Sequence, residues 1–124
     1  MTLTDNFLVE MAKALAEESY TVPSHLAFAT TEVASIATTD TALSGEIGTR
    51  EALSKSRSDK SITFTAMRSG TDVIDTTNGD ELESSGFLNA STNGTFLWGI
   101  THPGITQTTV FDLEWEVQID VRRV

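Results

Sequence analysis

Residues 109–122 read TVFDLEWEVQIDVR, and from Phe111 onward their apolar and polar side chains alternate. Successive side chains of a β-strand point to opposite faces, so this alternation predicts a strand with one face on a core and the other in water. The run is also longer than a usual strand of about 5 to 6 residues. We therefore expect it to extend past its neighbours in the sheet and to leave part of its length unpaired in the monomer.

Short β-type runs separated by polar turn clusters fill most of the chain before this strand, which is the pattern of a sandwich or a barrel. Asn93-Gly94 lies between two apolar runs and is the strongest short signal for a hairpin. The predicted strands span residues 25–31, 46–57, 60–68, 86–90 and 95–100. His102-Pro103-Gly104 is expected to break the chain before the last strand, and residues 69–80 are expected to form a surface loop.

An amphipathic helix is predicted near the start of the chain, over residues 5–19. Asp5 can cap it, and Pro23 prevents its continuation. Its apolar stripe, which we expect to dock on the sheet, consists of Phe7, Leu8, Met11 and Leu15. Together these elements predict a mainly β fold, an antiparallel β-sandwich with one N-terminal amphipathic α-helix. In this interpretation the chain is a single domain over 1–124, with the helix over about 5–19 and the sandwich over about 24–124.

The composition is acidic, with 18 Asp and Glu against 8 Lys and Arg, a net charge of -10 and no cysteine. This charge argues against a nucleic-acid partner. The lack of cysteine excludes disulfides, thiolate metal sites and a cysteine nucleophile. No apolar run approaches the roughly 20 residues that cross a bilayer, so no membrane insertion is expected. Scattered acids with few lysines fit both a protein adapted to high salt and an ordinary acidic domain.

Two groups of acidic and amide side chains could bind cations, and each also has a simpler explanation. The polar face of the last strand could ligate metal ions, or it could be a solvated face balanced by Arg50, Lys55 or Arg57 on a neighbouring strand. The residues of that face are Asp112, Glu114, Glu116 and Asp120. The second group departs from the spacing of a calcium loop and consists of Asp75, Asn78, Asp80, Glu81 and Glu83. We expect no metal site and no cofactor.

Enzymatic chemistry has little support in the sequence. His25 and His102 are the only histidines, which excludes a histidine-rich zinc site. A serine hydrolase would need one of them beside a serine that no motif singles out. We therefore expect no catalytic residue.

A series of short segments carries a resemblance to known proteins. After the leading helix come PSHLAFAT (23–30), DTALSGEI (40–47), Arg50, ITFTA (62–66), SGFL (85–88) and the closing alternating strand. This order, which covers most of the chain, resembles a family of small structural proteins of tailed bacterial and archaeal viruses, found among tail, fibre and particle-surface components. The resemblance implies a β-sandwich that assembles into a symmetric oligomer and has no catalytic residues. The acidity would suit a virus of a halophilic archaeal host.

These observations predict a non-enzymatic virion structural protein of a tailed virus, in the tail, fibre or baseplate apparatus or decorating the capsid surface. Its expected location is the virion, after assembly in the host cytoplasm. The alternative is a cellular carbohydrate- or ligand-binding β-sandwich, in which Trp98 and Trp115 could offer stacking faces.

The closing strand is the predicted assembly interface, because a partner subunit could cover its unpaired length. We expect Arg122 and Arg123 to pair with acidic neighbours. The residues assigned to this interface are Phe111, Leu113, Trp115, Val117, Ile119, Arg122 and Arg123. The expected partners are further copies of the chain in a symmetric homo-oligomer, and other virion proteins.

Overall fold

A computed structural model describes residues 2–33, 36–69, 81–106 and 112–122. The elements within these ranges are β1 (Thr2–Leu3), α1 (Asp5–Leu15), β2 (His25–Ala29), β3 (Glu46–Ala52), β4 (Ser54–Ser58), β5 (Ser61–Arg68), β6 (Leu82–Leu88), β7 (Phe96–Ile105) and β8 (Leu113–Asp120). Most of the predicted surface loop, together with Phe111 and Arg123, lies outside the described residues.

The strands form two antiparallel sheets, which confirms the mainly β, sandwich-like fold with one N-terminal helix. The larger sheet has the order β1-β7-β6-β2-β3 and the smaller one the order β4-β5-β8. Phe28, Phe87 and Trp98 from the larger sheet meet Phe64 and Ala66 from the smaller one in the central core. A second, smaller apolar cluster lies on the other face of the larger sheet and includes Ala27, Ala29, Leu43, Leu88 and Phe96.

The predicted strand over residues 46–57 is two strands that belong to different sheets. β3 pairs with β2, β4 pairs with β5, and Leu53 lies at the corner between them. The Leu53 N–H donates to the carbonyl of Ser24 at 2.8 Å. The sequence does not show where the chain crosses from one sheet to the other, because β3 and β4 are both rich in polar residues and follow each other as one loosely alternating run. The crossing closes one side of the sandwich.

The predicted overhang of the closing strand is wrong for the described residues. Every residue of β8, from Leu113 to Asp120, has a partner on β5, from Arg68 to Ser61. The two strands match in length because β8 is shorter than its alternating pattern and has 8 residues, as β5 does. Among the strands that the structure describes, none pairs with the outer edge of β8.

The predicted chain break at His102-Pro103-Gly104 is also wrong, since β7 continues to Ile105. The register against β6 shifts here, with Leu82 opposite Ile105 and Ser84 opposite Thr101. Such a bulge accommodates a proline and a glycine within a strand, because the extra residues need not donate to the ladder.

The helix is shorter than predicted, and its docking prediction holds only for Phe7, whose ring centroid lies 4.8 Å from that of Trp98. Thr4, rather than Asp5, caps α1 by accepting a hydrogen bond from the N–H of Phe7 at 3.1 Å. The rest of the stripe is exposed, with exposed fractions of 53% for Leu8, 44% for Met11 and 86% for Leu15. Of the residues in the stripe, only Phe7 therefore packs its side chain against the core of the sandwich.

Candidate assembly surfaces

The free edge of β8 is the first candidate surface. One side of this strand pairs with β5, and no strand of the described residues pairs with its other side. The interface residues assigned from the sequence divide into two groups. Leu113, Trp115, Val117 and Ile119 are half-buried and pack against the central core. Arg122 is exposed and donates to Oδ2 of Asp120 at 3.1 Å, within its own chain.

An open cavity of about 300 Å³ lies between β8 and the inner faces of β6 and β7. Its lining, which defines the seam cavity, comprises Ser85, Phe87, Ile100, His102, Ile105, Leu113, Glu114, Trp115, Glu116 and Val117. Most of these side chains are apolar, and they come from both sheets. Within the described residues, the sandwich is therefore open along β8, on the side opposite the Leu53 corner.

A serine and a histidine that the sequence did not connect meet in the seam cavity. Oγ of Ser85 lies 3.2 Å from Nε2 of His102, and Nδ1 of His102 lies 3.0 Å from the carbonyl oxygen of Pro103. Because a carbonyl only accepts, Nδ1 donates to it, and in a neutral imidazole Nε2 then accepts from the serine hydroxyl.

The position of Ser85 does not favour a nucleophile. Its side chain is buried, and the residue lies in the ladder between Phe28 and Ile100. Its backbone N–H is thereby committed to strand pairing, whereas acyl transfer needs free donors around the developing oxyanion. The pair instead supplies a polar spot on the β6–β7 side of the cavity, where the other lining residues, Phe87, Ile100 and Ile105, are apolar.

Among the described strands, none places a basic side chain beside the acidic face of β8, contrary to the balancing by Arg50, Lys55 or Arg57 that the sequence suggested. The neighbours of Glu114 and Glu116 on β5 are Met67 and Thr65. Arg50 lies on β3 in the other sheet, and β4, which carries Lys55 and Arg57, is separated from β8 by β5. Glu114 and Glu116 are exposed. They are available to a partner that carries positive charge.

Asp120 differs from these two glutamates because donors of its own chain form hydrogen bonds with its carboxylate. The Ser61 hydroxyl, the Gln118 amide and the Arg122 guanidinium all donate to its carboxylate. These hydrogen bonds, that from Ser61 most of all, lower the pKa of Asp120 from 3.8 to about 2. Its negative charge is therefore retained even at acidic pH.

The two outer strands of the smaller sheet differ in the charge on their inward face. Lys55 and Arg57 of β4 lie opposite Phe64 and Ile62, whose side chains face the core. Inward-pointing charges on an edge strand oppose the addition of another strand. The corresponding face of β8 carries only apolar side chains. β4 is thus a guarded edge and β8 an unguarded one.

A second groove, of about 390 Å³, lies between α1, residues 20–23 and the ends of β5 and β8. The side chains that define this helix groove are Phe7, Glu10, Met11, Ala14, Tyr20, Thr21, Val22, Pro23, Ile62, Phe64, Ile119, Asp120 and Val121. Glu10 at its rim accepts hydrogen bonds from Lys13 and from the N–H of Thr21, which lower the pKa of its carboxyl. The sequence predicted the apolar stripe that borders this groove but not its exposure.

Arg50 is a buried residue whose role the sequence did not reveal. It donates to Glu46 at 2.6 Å and to the carbonyls of Thr41, Ala90 and Asn93 at 3.1, 2.9 and 2.7 Å. It thereby holds the connection before β3 against the β6–β7 hairpin. The acceptors are main-chain carbonyls distant in sequence, so no local pattern could indicate them.

Within the described ranges, no group of three His, Cys, Asp or Glu side chains could hold a metal ion. Asp75, Asn78 and Asp80 of the possible calcium loop lie outside those ranges. No helix in the same ranges is long and apolar enough to cross a membrane. Trp98 is fully buried and offers no stacking face, whereas Trp115 lines the seam cavity. Comparisons with protein-family models, with curated proteins and with solved structures found no match.

Proposed function

We propose that this chain is a non-enzymatic structural protein of a tailed-virus particle, in the tail, fibre or baseplate apparatus or on the capsid surface. The observation that carries this proposal is the unguarded edge of β8 above the open seam cavity. The resemblance of the chain to tailed-virus structural proteins supports the choice of particle. The net charge of -10 supports a halophilic archaeal host.

The β8 edge has the features of a strand-addition site. An added strand gains main-chain hydrogen bonds along the edge, and its inward side chains enter the seam cavity beside Trp115 and Val117. These two side chains are only half-buried in the monomer. Burying about two apolar side chains against the partner would stabilise the contact by roughly 3 to 6 kcal/mol. A monomer without a partner leaves this surface in water.

Charge favours another particle protein, rather than the same strand of a second copy, at this edge. Suppose that two copies of β8 pair antiparallel about a two-fold axis. Wherever that axis passes through a residue from 115 to 118, at least one carboxylate of one copy lies opposite a carboxylate of the other. For example, Glu116 faces its own copy in one register and Asp120 in another. Like charges in opposite positions destabilise a strand pair. A strand with Lys or Arg on its outer face has no such penalty.

The test has two steps, of which the first is mass spectrometry of purified particles from cells that express the chain. We expect its peptides at the abundance of a structural component. Their absence from purified particles would contradict the virion role.

The second step blocks the β8 edge. Hydrogen exchange on the free chain identifies a β8 residue whose N–H points away from β5. Proline at that position removes an unpaired donor and keeps the hydrogen bonds to β5. The matched control is proline at an outward-pointing N–H of β4. We expect the β8 variant to fold but to be missing from particles, and the β4 variant to be incorporated. Incorporation of both variants at the wild-type level contradicts assembly through β8.

A ligand-binding β-sandwich is the second candidate, and the Ser85–His102 pair in the seam cavity is the observation that favours it. Titration with mono- and disaccharides, followed by calorimetry and by the fluorescence of Trp115, tests this role. Saturable binding that is lost in Ser85→Ala and His102→Ala would support it. If none of the mono- and disaccharides gives a heat of binding or changes the fluorescence emission, binding of these sugars is excluded.

A further inference from the structure

Exposed apolar side chains gather around α1 and the helix groove. Of the eight large apolar residues that are exposed in the described part of the chain, seven lie here and only Met67 lies elsewhere. The seven are Leu8, Val9, Met11, Leu15, Tyr20, Val22 and Val121. Four of the seven, Met11, Tyr20, Val22 and Val121, line the helix groove together. An exposed apolar patch of this kind marks an interaction site on a small protein.

The groove reaches the core of the sandwich. Its floor includes Ile62, Phe64 and Ile119, all of which belong to or pack against the central core. A cavity of roughly 150 Å³ already accepts a benzene-sized group. The helix groove, at about 390 Å³, therefore has room for large apolar side chains from a partner.

A ridge that fits such a groove stands next to it on the same helix. Leu8 and Leu15 are seven residues apart and share one face of α1. This face lies about 80 to 120° around the helix from Phe7 and Ala14, which line the groove. Leu15 is 86% exposed and Leu8 is 53% exposed. A two-fold interface needs one patch that is complementary to itself, with both the projecting and the receiving part. The ridge and the groove together meet that requirement.

The local charges also allow a second copy to approach here. Glu10 is neutralised by Lys13 at 2.8 Å, and Asp120 is neutralised by Arg122 at 3.1 Å. Both ion pairs lie at the groove. On the outer face of β8, by contrast, Glu114 and Glu116 have no basic neighbour on β5. At the groove itself, a partner that carries the same net charge therefore meets fewer uncompensated carboxylates than on the outer face of β8. Two further exposed acids, Glu17 and Glu18, lie just after the helix.

We propose that two copies of this chain bind each other through α1, with Leu8 and Leu15 of each copy seated in the helix groove of the other. This contact uses a different surface from the β8 edge and does not depend on the virion role. It assigns self-association to the helix and leaves the sheet edge free for another protein. The exposed acids Glu17 and Glu18 follow the helix closely, so the contact tightens as salt screens them.

Sedimentation equilibrium in molar salt tests this pairing with two matched variants. Leu15→Gln and Met67→Gln each replace an exposed apolar side chain with an uncharged polar one, the first on the ridge and the second on the outer face of β5. We expect wild type and Met67→Gln to dimerise, and Leu15→Gln to dimerise on the order of 100-fold more weakly, because the lost apolar contact occurs twice in a two-fold interface. Circular dichroism checks that both variants keep the wild-type fold. A monomeric wild type, or equal dimerisation of the two variants, overturns the proposal.

A crosslinking experiment locates the contact. A photoreactive amino acid replaces Leu15 in ¹⁵N-labelled chains, which are then mixed with unlabelled wild-type chains before illumination. Crosslinks between labelled and unlabelled chains should end at the lining of the helix groove, at Tyr20, Val22 or Val121. Crosslinks confined to single chains, or ending on β8 outside the groove, contradict the arrangement. Neither outcome bears on the presence of the chain in particles.

Discussion

Arg50 is the residue on which the hairpin side of the molecule depends most. Its guanidinium is buried and satisfies Glu46 together with three main-chain carbonyls that have no other side-chain donor among the hydrogen bonds of the described residues. Removing one partner of a buried ion pair leaves the other charge and its acceptors without compensation. Removing the Arg50 side chain should therefore lower the free energy of unfolding more than removing any exposed basic side chain does.

We expect Arg50→Ala to lower the free energy of unfolding by about 3 to 5 kcal/mol. Arg57→Ala is the control, because Arg57 is exposed on β4, and it should change that free energy by less than about 0.5 kcal/mol. Urea denaturation measures both values. Equal small effects would show that the Arg50 contacts do not contribute to stability.

Asp120 gives a pH-dependent prediction at the same scale. Hydrogen bonds from Ser61, Gln118 and Arg122 lower its pKa from 3.8 to about 2 in the folded chain. A carboxyl with a lowered pKa stabilises the fold above its unfolded pKa, and this contribution is lost as the pH falls through the folded value. The stability advantage of wild type over Asp120→Asn should thus disappear between about pH 4 and pH 2. An NMR titration that places the pKa of Asp120 near 3.8 would contradict this.

The strands show what alternation can and cannot predict. β8 follows its pattern residue by residue, with half-buried and exposed side chains in turn from Leu113 to Asp120. The predicted hairpin also forms, since β6 and β7 are antiparallel neighbours joined by residues 89–95. Asn93 and Gly94 lie within this connection and have positive φ values of 52° and 83°. The crossing at Leu53 and the edges of each sheet depend on which strands become neighbours. That information lies in contacts between distant residues, so no local pattern contains it.

The helix shows that local patterns also fail to predict which surfaces of the candidate sites are exposed. Its apolar stripe was visible in the sequence, and the natural expectation was burial against the sheet. Burial depends on where the helix sits, and only Phe7 reaches Trp98. The pairing of Ser85 with His102 likewise arises from neighbouring strands whose residues are 17 positions apart.

Truncation of β8 tests the strand pairing in the fold. Gln118, Ile119 and Asp120 pair with Thr63, Ile62 and Ser61, so deletion of residues 118–124 removes these pairs and the core contact of Ile119. We expect this deletion to lower the free energy of unfolding by about 2 to 4 kcal/mol. Deletion of residues 121–124 keeps all three pairs and should have a much smaller effect. Equal stability of the two truncated chains would argue against the β5–β8 register.

The net charge of -10 determines how the whole molecule responds to salt. The acidic strand face and the scattered surface acids repel one another, and salt shortens the range of that repulsion from about 10 Å at 0.1 M to about 3 Å at 1 M. We expect the Tm to rise by at least about 5 °C between 0.1 M and molar sodium chloride. Equal osmolarity of sucrose is the control for exclusion effects. A flat Tm in salt contradicts adaptation to a high-salt host.

Hydrogen exchange along β8, compared between the free chain and the chain in purified particles, tests assembly through this edge most directly. In the free chain only the amides that donate to β5 should be protected, so protection should alternate from Leu113 to Asp120. In the particle an added strand should protect the outward amides as well. Alternating protection that persists unchanged in the particle would show that the β8 edge stays open there, and would contradict its role as the assembly site.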